Sequence, residues 1–159
     1  MDGTLFPHYH KHICFAALSL NHHGPSKYGD YTIVLKEKMI LQRATVFEGN
    51  SVSFCQKHRI VVGDSIPAGY RAEWPMRDKL AMAKLHDKID GGTRPEQYPG
   101  ILLHDGPDPD FIEVHIWGTI HRSAIERVIG PKPKRGTDRV LLNSLERKLK
   151  EVGAVLEIK

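Results

Sequence analysis

The sequence is short of the features that announce a functional class. It has two cysteines, Cys14 and Cys55, each beside a phenylalanine in an apolar context rather than in a closely spaced cysteine framework. Two buried thiols in a reducing compartment are the expectation. No apolar run approaches the roughly 20 residues that span a bilayer. The opening Met1-Asp2-Gly3-Thr4-Leu5-Phe6-Pro7 lacks the basic and then apolar stretches of a secretory signal, so neither a membrane location nor ordinary secretion is expected. Also missing are a glycine-rich phosphate loop with Lys-Ser/Thr, paired Cys-x-x-Cys motifs, a zinc-deaminase signature and a nucleophile elbow, which disfavours several enzyme classes. Internal repeats and low-complexity segments are absent too. The charge imbalance is small: 23 Lys and Arg against 19 Asp and Glu leave +4 at pH 7, a mild bias toward anionic ligands such as a dinucleotide or RNA.

What the chain does contain fits one domain over residues 1–159, a length able to bury roughly two-thirds of the surface the unfolded chain exposes. Short apolar or β-branched runs predict strands at 13–20, 31–35, 44–47, 59–62 and 154–158, with a tight polar corner at Glu48-Gly49-Asn50-Ser51. Pro75 suits a first helical turn, and Trp74, Leu80, Ala81, Ala83 and Leu85 follow at helical spacing. A long irregular loop is expected from Asp90 to Asp110, rich in Gly, Pro and Asp. Ser123–Ile129 reads as a short helix or turn entering a strand, and 131–136 as a basic linker. Thr137 or Asp138 can cap a helix with Leu141, Leu145, Leu149 and Val152 on one stripe, which Gly153 stops. The class is α+β.

Phe111-Ile112-Glu113-Val114-His115-Ile116-Trp117 alternates, so Ile112, Val114 and Ile116 form a core face while Glu113 and His115 share the other. A carboxylate on so apolar a strand needs a partner or a task, which makes Glu113 the leading catalytic candidate. His115 could be acid, base or substrate contact. His8, His10 and His12 have the spacing of metal ligands if the segment is extended, since alternate side chains then face one way.

Three segments together carry a resemblance: Tyr28-Gly29-Asp30-Tyr31-Thr32-Ile33-Val34-Leu35-Lys36, Arg43-Ala44-Thr45-Val46-Phe47-Glu48-Gly49-Asn50-Ser51 and Asp110-Phe111-Ile112-Glu113-Val114-His115-Ile116-Trp117-Gly118. Their order resembles the ADP-ribosyltransferase-like domains of bacterial toxins and effectors and a related group of bacterial proteins, over most of residues 11–130. The resemblance implies a split, mostly antiparallel sheet with a few packed helices, holding NAD in a cleft as substrate. It implies Glu113 as the carboxylate that stabilises the ribosyl cation, Ser51 as its positioning serine and His115 beside it. His12, Tyr28, Gly29 and Asn50 would contact the dinucleotide, with Tyr28 stacking on nicotinamide. Such a protein acts in the cytoplasm, or reaches a target cell's cytoplasm through a specialised secretion system, and is met there by an immunity or antitoxin protein.

The sequence departs from that pattern in having no arginine on the first strand, an incomplete serine motif, and Phe111 two residues before Glu113 where arginine-modifying members carry Glu or Gln. The acceptor is therefore expected to be something other than arginine: nucleic acid, another side chain, a small molecule or water. Two other readings stand beside this one. His22-His23 next to Asn21 could serve a metal-dependent nuclease. Lys132, Lys134 and Arg135 could instead serve a non-catalytic module that binds nucleic acid or protein.

Overall fold

Backbone pairing in this computed structural model, which describes residues 6, 9–61 and 63–159, builds an α+β chain with mainly antiparallel sheets. The calls on Met1–Leu5, Pro7, His8 and Val62 lie outside the described residues. Two compact units form, each from two stretches of sequence: residues 1–27 with 41–119, and residues 28–40 with 120–159. No helix among the described residues is long and apolar enough to cross a membrane.

The first unit holds a four-stranded sheet in the order β1 (Ile13–Ala17), β7 (Glu113–Trp117), β3 (Ala44–Phe47), β4 (Arg71–Glu73), every pair antiparallel. Register sets the two faces, because directly opposed residues project the same way. One cross-strand row is Ala17, Glu113, Phe47, Arg71, and the next is Phe15, His115, Thr45, Glu73. The reverse face carries Val46, Val114 and Ile116, all buried. Burying such aliphatic side chains stabilises the fold by about 1.5–3 kcal/mol each. Helix α2 (Arg77–Leu85) packs on β3 and β4 and buries Leu80 and Leu85, in keeping with the helical spacing seen in the sequence.

Four local expectations need correction. The corner at Glu48-Gly49 is present, but it leads into helix α1 (Ser51–His58), which the sequence did not suggest, and residues 59–61 form no strand although one was expected at 59–62. Asn50 caps the helix, its Oδ1 accepting from the Val52 and Ser53 amides at 3.1 Å, and Arg59 ends it in the left-handed region at φ 54, a conformation no strand contains. The 90–110 segment is not one irregular loop, because helix α3 (Tyr98–Leu102) and the short pair β5 (Leu103–His104) and β6 (Asp110–Phe111) lie within it. Asp110 is tied to Lys84 and, at 3.0 Å, to Lys88. Residues 10–12 form a turn of 3-10 helix, so His10 and His12 lack the alternation of an extended strand.

The second unit holds a three-stranded sheet, β2 (Thr32–Leu35), β8 (Ile125–Gly130), β9 (Val155–Ile158), with β8 and β9 parallel across helix α4 (Gly136–Lys150). Arg135 is the N-cap residue of α4, and Asp138, third in the helix, reaches back to it, its Oδ2 accepting from the Arg135 amide at 2.9 Å. Here the fourth correction falls. Leu141 is 69% exposed and Leu142 is buried in its place, while Leu149 is buried as its place on the stripe suggests. A repeat of four drifts around a helix of 3.6 residues per turn, whereas seven residues return to the same side. Leu149 packs with Val128 and Ala154, flanked by Ile125, Leu145, Val152 and Leu156. Gly153, at φ 68, turns the chain from α4 into β9.

Candidate functional site

From Glu113 to Ile116 both faces of β7 are buried, and this is what makes Glu113 and His115 unusual: they are 5% and 4% exposed, on a central strand with neighbours on each side. Sequence alternation put them on one surface, and they do share one. They meet directly there, His115 Nε2 lying 2.6 Å from Glu113 Oε1. With its proton on Nε2 the imidazole donates to the carboxylate. The second carboxylate oxygen, Oε2, accepts a longer bond of 3.4 Å from Asn50 Nδ2. One asparagine thus ties two structures together, capping α1 through its oxygen and reaching Glu113 through its nitrogen.

Aromatic rings wall the imidazole. Phe6 and Phe15 meet it edge-on at centroid distances of 4.8 and 5.3 Å, and Phe47 stacks on it at 5.7 Å with an interplanar angle of 25°. His115 Nδ1 is buried and has no hydrogen-bond partner. An unmet buried polar atom costs on the order of 1–3 kcal/mol, so the imidazole is held here by its bond to Glu113 and by ring packing. Beside this box, the Arg71 guanidinium lies 5.1 Å from the Phe6 ring centroid and 5.8 Å from that of Phe47. Desolvation lowers the Arg71 pKa from its ordinary value.

The remaining sequence candidates divide clearly. Ser51 opens α1 directly after Asn50 and is buried, so Asn50, Ser51, Glu113 and His115 belong to one region of the first unit. His12 is exposed at the other end of β1. Its carbonyl accepts from the Gly118 amide and its ring lies 5.6 Å from Trp117. Glu113 pairs with Ala17, five residues further along, so roughly 16 Å of strand separates the two positions. Tyr28 and Gly29 belong to the second unit, where Tyr28 is 65% exposed and Gly29 sits at φ 131.

His22 and His23 are exposed in a turn, with His22 at φ 62 and the Asn21 side chain accepting from the His23 amide. Among the described residues no three His, Cys, Asp or Glu side chains are grouped to hold a metal ion. Lys132, Lys134 and Arg135 are exposed in the second unit. Cys14 and Cys55 are free thiols, and burial pushes the Cys55 thiol up.

Sequence reasoning missed Phe6, Phe15, Phe47 and Arg71 as parts of the site. Only Phe47 and Phe15 carried any signal, as members of predicted strands, because what unites the four is cross-strand register and the approach of Phe6. No protein-family model matches this chain, and neither a curated protein nor a solved structure is detectably similar to it.

Proposed function

We propose that the first unit cleaves the glycosidic bond between nicotinamide and ribose in NAD, as an ADP-ribosyltransferase-like or NAD glycohydrolase domain with Glu113 as its catalytic carboxylate. The observation that carries this reading is a carboxylate buried on an apolar strand and held at both oxygens, by His115 and by Asn50. A buried charge is costly unless it is paired and used, and such groups cluster at functional sites.

In this reaction the C1′–N bond breaks with its electron pair leaving on nicotinamide, and positive charge grows on the ribose. A fixed carboxylate near the 2′-hydroxyl stabilises that charge, as in glycoside hydrolysis. A carboxylate offers about four lone-pair directions, and His115 and Asn50 occupy two, which leaves acceptor capacity for a ribose hydroxyl. His115 orients Glu113. Asn50 and Ser51 hold the start of α1 beside it. Attack at C1′ by water or by an acceptor's nucleophile, with loss of the nucleophile's proton, completes the exchange. Phe111, two residues before Glu113, offers no polar group to steer an arginine acceptor, which favours another acceptor or water.

The test is to incubate the purified protein with NAD and measure free nicotinamide, for the wild type and for Glu113→Gln. Release by the wild type and its loss in the variant are expected; equal release by the two proteins would remove Glu113 from the chemistry.

A further inference from the structure

Arg71 is the strongest feature that the proposed role of Glu113 leaves unused. It stands in the same cross-strand row as Glu113, two strands away through Phe47, so its backbone lies roughly 10 Å across the sheet and its side chain projects from the same face. The guanidinium contacts the Phe6 and Phe47 rings, which also wall His115. Glu73 follows two residues later on the same strand and face, and no carboxylate among the described residues lies within ion-pairing distance of Arg71.

Aromatic contact holds an arginine in place while leaving its donors to a ligand. A guanidinium is attracted to ring faces, and its five N–H groups lie in its own plane, directed outward as a fork that fits phosphate oxygens. Arg71 is exposed on the edge strand, so a ligand can reach the guanidinium that rests against the two rings. Arg71 is also partly desolvated, which strengthens its attraction for an anion.

We propose that Arg71 is an anion anchor that takes the phosphate group of a nucleotide whose ribose is presented to Glu113. The inference deepens the reading of the first unit as an NAD-cleaving domain and rests on it for the identity of the ribose. A nucleotide is chosen because it carries a partner for each of the two groups on one face of the sheet: a sugar hydroxyl for the carboxylate and a phosphate for the guanidinium.

Titration calorimetry with ADP, adenosine and inorganic pyrophosphate tests the anchor without requiring turnover. Wild type is expected to bind ADP more tightly than adenosine, with affinity falling as salt rises. Arg71→Gln should lose about tenfold or more on ADP and nothing on adenosine, as expected for removing charge-assisted hydrogen bonds. Arg71→Lys should fall between, because it keeps the charge and loses the fork. Pyrophosphate binding that depends on Arg71 but equals that of ADP would identify a free phosphate compound as the ligand and overturn the nucleotide. ADP binding by Arg71→Gln equal to wild type, in protein whose thermal unfolding is unchanged, would overturn the anchor.

The two proposals fail separately. Nicotinamide release with ADP binding indifferent to Arg71 keeps the NAD reading and removes the anchor. Arg71-dependent ADP binding without nicotinamide release keeps the anchor and removes the NAD reading.

Discussion

His115 Nε2 and Glu113 Oε1 lie 2.6 Å apart on side chains two residues apart along one strand, and neither side chain is more than 6% exposed. Charged and polar side chains are seldom buried so fully, and here each is the other's main polar partner. The pair therefore acts as one unit whose members cannot be removed independently without cost.

The first prediction follows from that dependence. His115→Phe preserves ring shape within the box of Phe6, Phe15 and Phe47 and removes the unmet Nδ1, yet it strips Glu113 of its closest donor. It should destabilise the protein by about 1–3 kcal/mol in urea unfolding, since a buried acceptor is left with a single long bond. Adding Glu113→Leu to His115→Phe should recover much of the loss, because an apolar pair replaces a polar one. Simple additivity of the two single-variant effects would show that the residues do not depend on one another.

Asn50 separates structure from chemistry. Asn50→Ala should cost about 0.5–2 kcal/mol, as the Val52 and Ser53 amides lose their shared acceptor. Asn50→Asp keeps that acceptor, so helix α1 should hold, but it sets a second carboxylate beside Glu113 and removes the Nδ2 donor. A retained helix α1, a loss of stability from the paired carboxylates and reduced nicotinamide release are the expected pattern. Should Asn50→Asp release nicotinamide like wild type, the bond from Asn50 to Glu113 would have no part in catalysis.

Asp110 sets an acid limb of stability. Burial raises its pKa, but hydrogen bonds and charge from Lys84 and Lys88 outweigh burial and leave the carboxyl below its ordinary value. A depressed folded-state pKa contributes stability that is present above the unfolded value of about 3.9 and disappears as pH falls through the folded value. The side chain is 43% exposed, so screening limits the effect to about 1 kcal/mol or less. Asp110→Asn should therefore be slightly less stable than wild type at pH 7, and the two should converge in acid. A gap that widened on acidification would show that the Lys84 and Lys88 pairing is not its source.

In the second unit, a methyl group added at Gly130 would run into the Tyr31 ring, which lies across the glycine beside the β2–β8 pair. Gly130→Ala should destabilise by about 1–3 kcal/mol through this overpacking. Pairing it with Tyr31→Ala should remove the clash, so the double variant should be more stable than the sum of the single losses predicts. Thermal unfolding of the four proteins measures the coupling.

Where local pattern and tertiary demand agreed, the sequence was readable. Ala44-Thr45-Val46-Phe47 is a strand within the bounds its β-branched residues suggest, and the alternation through 113–117 foretold that Glu113 and His115 share a face. Helix α1 was hidden because Ser-Val-Ser-Phe-Cys has little helical preference and only Ser51, Phe54 and Cys55 are buried. The Asn50 cap and the left-handed Arg59 define its ends. Arg71 could not be placed because a three-residue edge strand has no period to detect, and its link to Glu113 passes through Phe47 on the intervening strand. Leu141 failed for a geometric reason, since leucines four apart wander off the buried side over two turns.

The position of β7 between β1 and β3 bears on how such a site could be lost. Its amides and carbonyls are engaged by both neighbours, so the segment bearing the carboxylate should exchange its amide protons among the slowest in the unit. Fraying at an edge would free Arg71 on β4 long before it reached Glu113. Gradual heating should thus relax the gripping of an anion first, while the acid–imidazole couple persists until the whole sheet melts.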